Sequence, residues 1–156
     1  QPVDRETLGR MTAILQHRGP DGHGELVDGE VGLGHRRLSI IDLEGGAQPI
    51  TNEDKSLWIV MNGEIYNYLE LRKRLIERGH TFTTHSDTEV VLHLYEEHGE
   101  GCVQYLNGMF AYAIWDDNRQ CLVISRDRLG KKPVHYAITP QGLTFAGQSL
   151  CYFLTW

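Results

Sequence analysis

The run Met109-Phe110-Ala111-Tyr112-Ala113-Ile114-Trp115 limits the fold more than any other stretch of this chain. Residues this uniformly apolar cannot give a strand one wet face. Such a strand must be covered on both sides, so the run predicts the middle of a layered structure. Asp116-Asp117-Asn118 then turns the chain, and Cys121-Leu122-Val123-Ile124 returns it as a second strand. Leu57-Trp58-Ile59-Val60 reads as a third buried strand.

Helix signals surround these strands. Asp4 can cap a helix over 5–17, with Leu8, Met11, Ile14 and Leu15 as its stripe and Gly19-Pro20 as its stop. Asn67 and Glu70 stand in the capping-box relation and open a helix over 68–78. Ser86-Asp87-Thr88-Glu89 is a full capping box opening a helix over 87–98, which Gly99 closes. Those two helices should pack on the same sheet, because the segment joining them is too short to cross to the other face. Phe82 within that segment marks a short strand. Glu25–Val27 and Val31–His35 predict a hairpin around Asp28-Gly29, and Val134–Ile138 with Leu143–Ala146 another. Residues 44–54 read as a loop. The pattern as a whole predicts an α+β layered domain.

Composition excludes several classes. The chain has 156 residues, 40% hydrophobic and 23% charged, with a net charge of −6. That fits one domain with a core. Basic residues are scattered, so no nucleic-acid surface is expected. No apolar run reaches membrane-spanning length and no signal peptide opens the chain, so no membrane is expected and the cytoplasm is the default location. Cys102, Cys121 and Cys151 form no C-x-x-C pair. His93 and His98 are five apart, off the spacing that sets two ligands on one helical face. No metal site is expected.

The strand at 57–60 runs into Met61-Asn62-Gly63-Glu64-Ile65-Tyr66-Asn67. This step sets an amide side chain, a bare backbone N–H and a carboxylate side by side, a set able to hold an oxyanion and a ligand ammonium. Asn-Gly is also an ordinary turn. The surrounding motifs, in chain order, are His17-Arg18-Gly19-Pro20-Asp21, Arg36-Arg37-Leu38-Ser39-Ile40-Ile41-Asp42, Ser86-Asp87-Thr88-Glu89-Val90 and Arg126-Asp127-Arg128-Leu129-Gly130-Lys131-Lys132-Pro133. In this order the set resembles the glutaminase domain of glutamine-hydrolysing asparagine synthetases, which are class II amidotransferases. The resemblance covers roughly residues 3–147.

It implies a four-layer α-β-β-α sandwich of two mostly antiparallel sheets, of the N-terminal-nucleophile hydrolase type. It implies glutamine as substrate. Arg37 would bind the α-carboxylate, for which a guanidinium fork is suited. Leu38 and Ile40 would line the pocket. Asp87 and Glu64 would meet the ammonium, although Asp87 also suits a helix N-terminus on charge grounds alone. Asn62 and Gly63 would form the oxyanion hole. Arg18, Asp21, Arg126, Asp127 and Arg128 would supply supporting ion pairs.

The family's nucleophile is an N-terminal cysteine, and this chain begins with Gln1. The chain is therefore expected to be an incomplete amidotransferase domain over 1–147, lacking its first strand and inactive alone, followed by an atypical tail over 148–156. The resemblance implies no cofactor for the domain itself. The resemblance implies that ATP and Mg belong to a separate C-terminal synthetase domain, which would amidate aspartate in the intact protein. Two further readings fit the same residues: a nucleophile-less amino-acid-binding or regulatory module, and an amidotransferase serving another acceptor acid.

Overall fold

A computed structural model describes residues 2–38 and 46–147. The Asp4 carboxylate accepts from the backbone N–H groups of Glu6 (3.3 Å) and Thr7 (3.1 Å), which caps α1 (Arg5–Ile14). One 3-10 turn, Leu15–His17, ends it. β1 (Gly22–Asp28) and β2 (Val31–Arg37) form an antiparallel hairpin, with Gly29 at φ 55° in the turn. Thr12 and Leu8 of α1 press on Gly34 of β2, where a Cβ would lie 2.3 Å from Thr12 Cγ2.

The three apolar runs share one antiparallel sheet. Its order is β3 (Ile50–Thr51), β4 (Leu57–Ile65), β5 (Gly108–Asp116) and β6 (Cys121–Arg126). Alternation along the strands splits their side chains between two cores. Ile59, Met61 and Ile65 of β4, with Tyr112 and Ile114 of β5, face α2 (Tyr68–Glu77) and α3 (Asp87–His98). Trp58 and Val60, with Ala113 and Trp115, face the other way and meet Leu33 of β2. Phe145 joins that second core from β8 (Gly142–Ala146), which pairs with β7 (His135–Thr139). Ile59 and Ile114 are fully buried. Each such side chain contributes about 1.5–3 kcal/mol.

The layers are therefore α1, the two hairpins, the four-stranded sheet, then α2 with α3: the expected α-β-β-α order of an α+β fold. Both later helices pack on the same sheet, as their short link requires. The hairpin layer differs from a continuous sheet, because β1–β2 and β7–β8 share no ladder among the described residues.

Local expectations fail where tertiary contacts offer better partners. Asn67 does not cap α2. Its amide donates to Tyr105 O (2.9 Å) and its carbonyl accepts from Asn107 N (3.0 Å). Glu89 does not close a box on Ser86. Its carboxylate reaches back to Thr83 and Thr84, accepting two backbone N–H and two hydroxyl bonds of 2.6–2.9 Å. Phe82 lies in a loop, edge-on to His93 at 4.6 Å, with the Arg72 guanidinium 4.1 Å from its ring centre. Ile50–Thr51 forms a short strand where a loop was expected, and Gly99–Tyr105 is 3-10 helix.

Candidate active site

The inner face of the main sheet opens into a cleft of about 1690 Å³ between the two hairpins. Val60, Ala113, Trp115 and Ile124 line its sheet side, and Gly32, Gly34 and His35 of β2 line another side. Arg37, Leu38, Asn62, Gly63, Glu64 and Asp87 also line it. Ile40 lies outside the described residues. Small-ligand pockets usually span about 300–1,000 Å³. This cleft has room for a glutamine-sized ligand and a good deal more.

Strand alternation explains which groups enter. Asn62 and Glu64 have the parity of Trp58 and Val60, so they leave the sheet on the inner face, past the end of the apolar floor. Asn62 is exposed and its amide makes no hydrogen bond among the described residues. It stands opposite Ala111, a small residue that leaves space beside it.

The backbone of β4 is aimed by the same alternation. Phe110, opposite Gly63, spends its C=O on Asp127 N (2.8 Å) and its N–H on Asp127 Oδ2 (3.3 Å). Those groups point away from β4. In an antiparallel ladder Gly63 must then point its own N–H away from β5. Its neighbours of the same parity do so. Met61 N donates to Gln48 Oε1 (2.6 Å) and Ile65 N to Asp87 Oδ2 (2.8 Å). Between these two clamped groups the Gly63 N–H has no hydrogen-bond partner among the described residues. Gln48 also donates to Thr88 Oγ1 (3.2 Å), so one amide ties β4 to the first turn of α3. The sequence carried no local signal for Gln48, whose partners are 13 and 40 residues away.

Asp87 opens α3 and is 4% exposed. Burial pushes its carboxyl above the usual range, the bond from Ile65 N opposes that, and nearby Glu64 adds to the rise. A ligand ammonium between Asp87 and Glu64 would reverse the shift. Arg37 ends β2, where Asp21 N donates to its carbonyl (3.0 Å) and Pro20 bridges to it. The Arg-Gly-Pro-Asp segment thus packs on the strand that carries Arg37; a Cβ on Gly19 would lie 2.5 Å from Arg37 N. Leu38 is 58% exposed at the rim.

Asp127 works differently from the ion pair expected of it. It accepts backbone N–H bonds from Phe110, Leu129, Lys131 and Lys132 (3.0–3.3 Å). These donors, Lys131 foremost, hold its carboxyl below the usual range. It shapes the 127–132 loop, whose Lys131 and Lys132 reach the cleft.

His35 has a distinct place. Its Nε2 donates to Met61 O (2.9 Å), leaving Nδ1 buried without a partner among the described residues. Burial lowers its pKa to about 4, against the Met61 bond and with help from Arg37. The unfolded chain takes up a proton near pH 6.5 that the folded state refuses until about 4. Stability present above pH 6.5 is therefore lost as the pH falls through that window, by about 3 kcal/mol in all. Urea unfolding at pH 7, 6 and 5 should show the decline, and His35→Gln should flatten it. An equally steep decline in that variant would rule His35 out as the source.

The fold is that of the N-terminal-nucleophile amidotransferases. It is similar to glutamine phosphoribosylpyrophosphate amidotransferase from B. subtilis complexed with ADP and GMP, with a TM-score of 0.69 at 24% identity over 82% of this chain and 30% of that one. It is also similar to an allosteric regulatory enzyme of purine biosynthesis, with a TM-score of 0.78 at 22% identity over 95% and 40% of the two chains. Residues 1–152 match the glutamine amidotransferase domain model, and the chain belongs to that family. Among its members, asparagine synthetase [glutamine-hydrolyzing] 1 of Bacillus subtilis (strain 168) is 47% identical over 149 residues, 95% of this chain and 24% of that protein. The asparagine synthetase [glutamine-hydrolyzing] of Asparagus officinalis is 50% identical over 125 residues, 80% of this chain and 21% of that protein. The chain thus spans about a quarter of the length of such relatives. Among the described residues no helix is long and apolar enough to cross a membrane.

Proposed function

We propose that this chain is the glutamine-hydrolysing part of an asparagine synthetase. In the intact, cytoplasmic protein it would release ammonia from glutamine, and a separate C-terminal domain would use ATP and Mg to amidate aspartate. The observation that carries this reading is the single cleft lined by Arg37, Asn62, Gly63, Glu64 and Asp87. Arg37 would take the substrate α-carboxylate in a two-bond fork. Glu64 and Asp87 would take its ammonium. The Asn62 amide and the unclaimed Gly63 N–H would hold the oxyanion as the side-chain amide is attacked. No cofactor is needed for these steps.

The nucleophile must come from elsewhere. Cys102 is fully buried in the helix-side core with its Sγ 3.4 Å from the Tyr112 hydroxyl, and burial pushes its thiol pKa up. A thiol so placed is inert. Cys121 begins β6 and does not line the cleft. Cys151 lies outside the described residues. We infer that a strand bearing an N-terminal cysteine takes up part of this cleft, its α-amino group serving as base.

Arg37→Ala tests the substrate assignment. In the intact enzyme it should weaken glutamine binding by roughly 2–5 kcal/mol, the cost of removing one partner from a desolvated charge pair. Isothermal titration or KM for glutamine reads the effect. Unchanged glutamine affinity would remove Arg37 from the site.

A further inference from the structure

Six and nine residues beyond Asp87 on α3, His93 and Glu96 meet His80 from the loop after α2. One ligand atom from each lies within 4.8 Å of the others. His93 Nδ1 is 2.7 Å, and His80 Nδ1 3.3 Å, from the same Glu96 oxygen, Oε2. The other oxygen of Glu96 accepts from the Asn52 amide (2.9 Å), which fixes the plane of the carboxylate.

Each imidazole also has a carboxylate behind its far nitrogen. His80 Nε2 lies 3.2 Å from Glu97 Oε1, and His93 Nε2 lies 3.9 Å from Glu89 Oε1. A carboxylate behind the ring is how metal-binding imidazoles are oriented. His93 is 1% exposed, and its Nε2 has no hydrogen-bond partner among the described residues. His80 and Glu96 remain partly open to water, at 18% and 23%.

The two ring centres stand 4.9 Å apart, with both Nδ1 atoms turned to the same Glu96 oxygen. A single divalent ion could take the two Nδ1 atoms and Glu96 Oε2 together, while the His80 ring donates at Nε2 to Glu97. Ligand atoms around tetrahedral zinc stand roughly 3.4 Å apart. The His80–Glu96 pair already has this spacing, at 3.3 Å. The His93–Glu96 pair, at 2.7 Å, needs to open by roughly 0.7 Å to reach it.

We propose that His80, His93 and Glu96 form a zinc-type divalent-cation site, with water as fourth ligand. The ion ties the loop carrying Thr83 and Thr84 to α3, the helix that carries Asp87. Helical spacing alone does not reveal the site, since His80 is not on the helix.

The chain, stripped of metal by a chelator, is titrated with zinc chloride in competition with a chromophoric chelator. One equivalent should bind tightly, and cobalt(II) should give the absorption of a four-coordinate site. His80→Gln and Glu96→Gln, each verified as folded by circular dichroism, should weaken zinc binding at least tenfold. His23→Gln, on β1, should leave it unchanged. The absence of stoichiometric binding by the unaltered chain overturns the proposal without any variant. So does equal binding by His80→Gln and Glu96→Gln, which marks the zinc as adventitious.

Discussion

Gly63→Ala should destabilise the fold by at least about 3 kcal/mol, more than a surface glycine in a turn ever does. A Cβ at this position would stand 2.1 Å from Met109 O and 2.6 Å from Phe110 Cα. Both are backbone atoms of β5, within the longest ladder of the sheet, so no rotamer relieves the clash. The φ of 149° adds to the strain. Gly29 is the internal comparison: its φ is 55°, but a Cβ there meets nothing within 4 Å. Gly29→Ala should cost only about 1–2 kcal/mol. Urea midpoints of the two variants decide the matter. Equal losses would mean that the close approach of β4 to β5 at Gly63 is wrong. The same approach explains the chemistry open to Gly63, since a residue without a side chain keeps its N–H uncovered.

Much of this architecture could be read from residues in order. The unbroken apolar run at 109–115 has to be covered on both faces, and it pairs with both β4 and β6. The helix over 87–98 begins after Ser86, whose Oγ accepts from Thr88 N (3.2 Å), and it stops at Gly99. The period of two along β4 sends Asn62 and Glu64 to the inner face, which is what makes the Asn-Gly-Glu step more than a turn.

The parts that could not be read are those decided by distant partners. Glu89 has the sequence of a capping-box acid but finds four donors on Thr83 and Thr84. Two bonds to distant backbone groups outcompete a local cap for Asn67. Gln48 looks like any polar loop residue until β4 and α3 come together around it. His80 and His93, 13 positions apart, meet only because the chain folds back beside α3.

If Arg37, Asn62, Gly63, Glu64 and Asp87 form a glutamine site as proposed, a suitably placed thiol should make it hydrolyse glutamine. Three proteins test that claim: the chain as given, the chain extended at its N-terminus by a strand-forming segment beginning Cys-Gly, and the same extension beginning Ala-Gly. Ammonia released from glutamine is the readout. The cysteine-bearing protein should be active, and the alanine version should fall by about a millionfold, to the level of the unextended chain. Substantial release by the chain as given, or by the alanine version, would show that another nucleophile acts and would contradict the account.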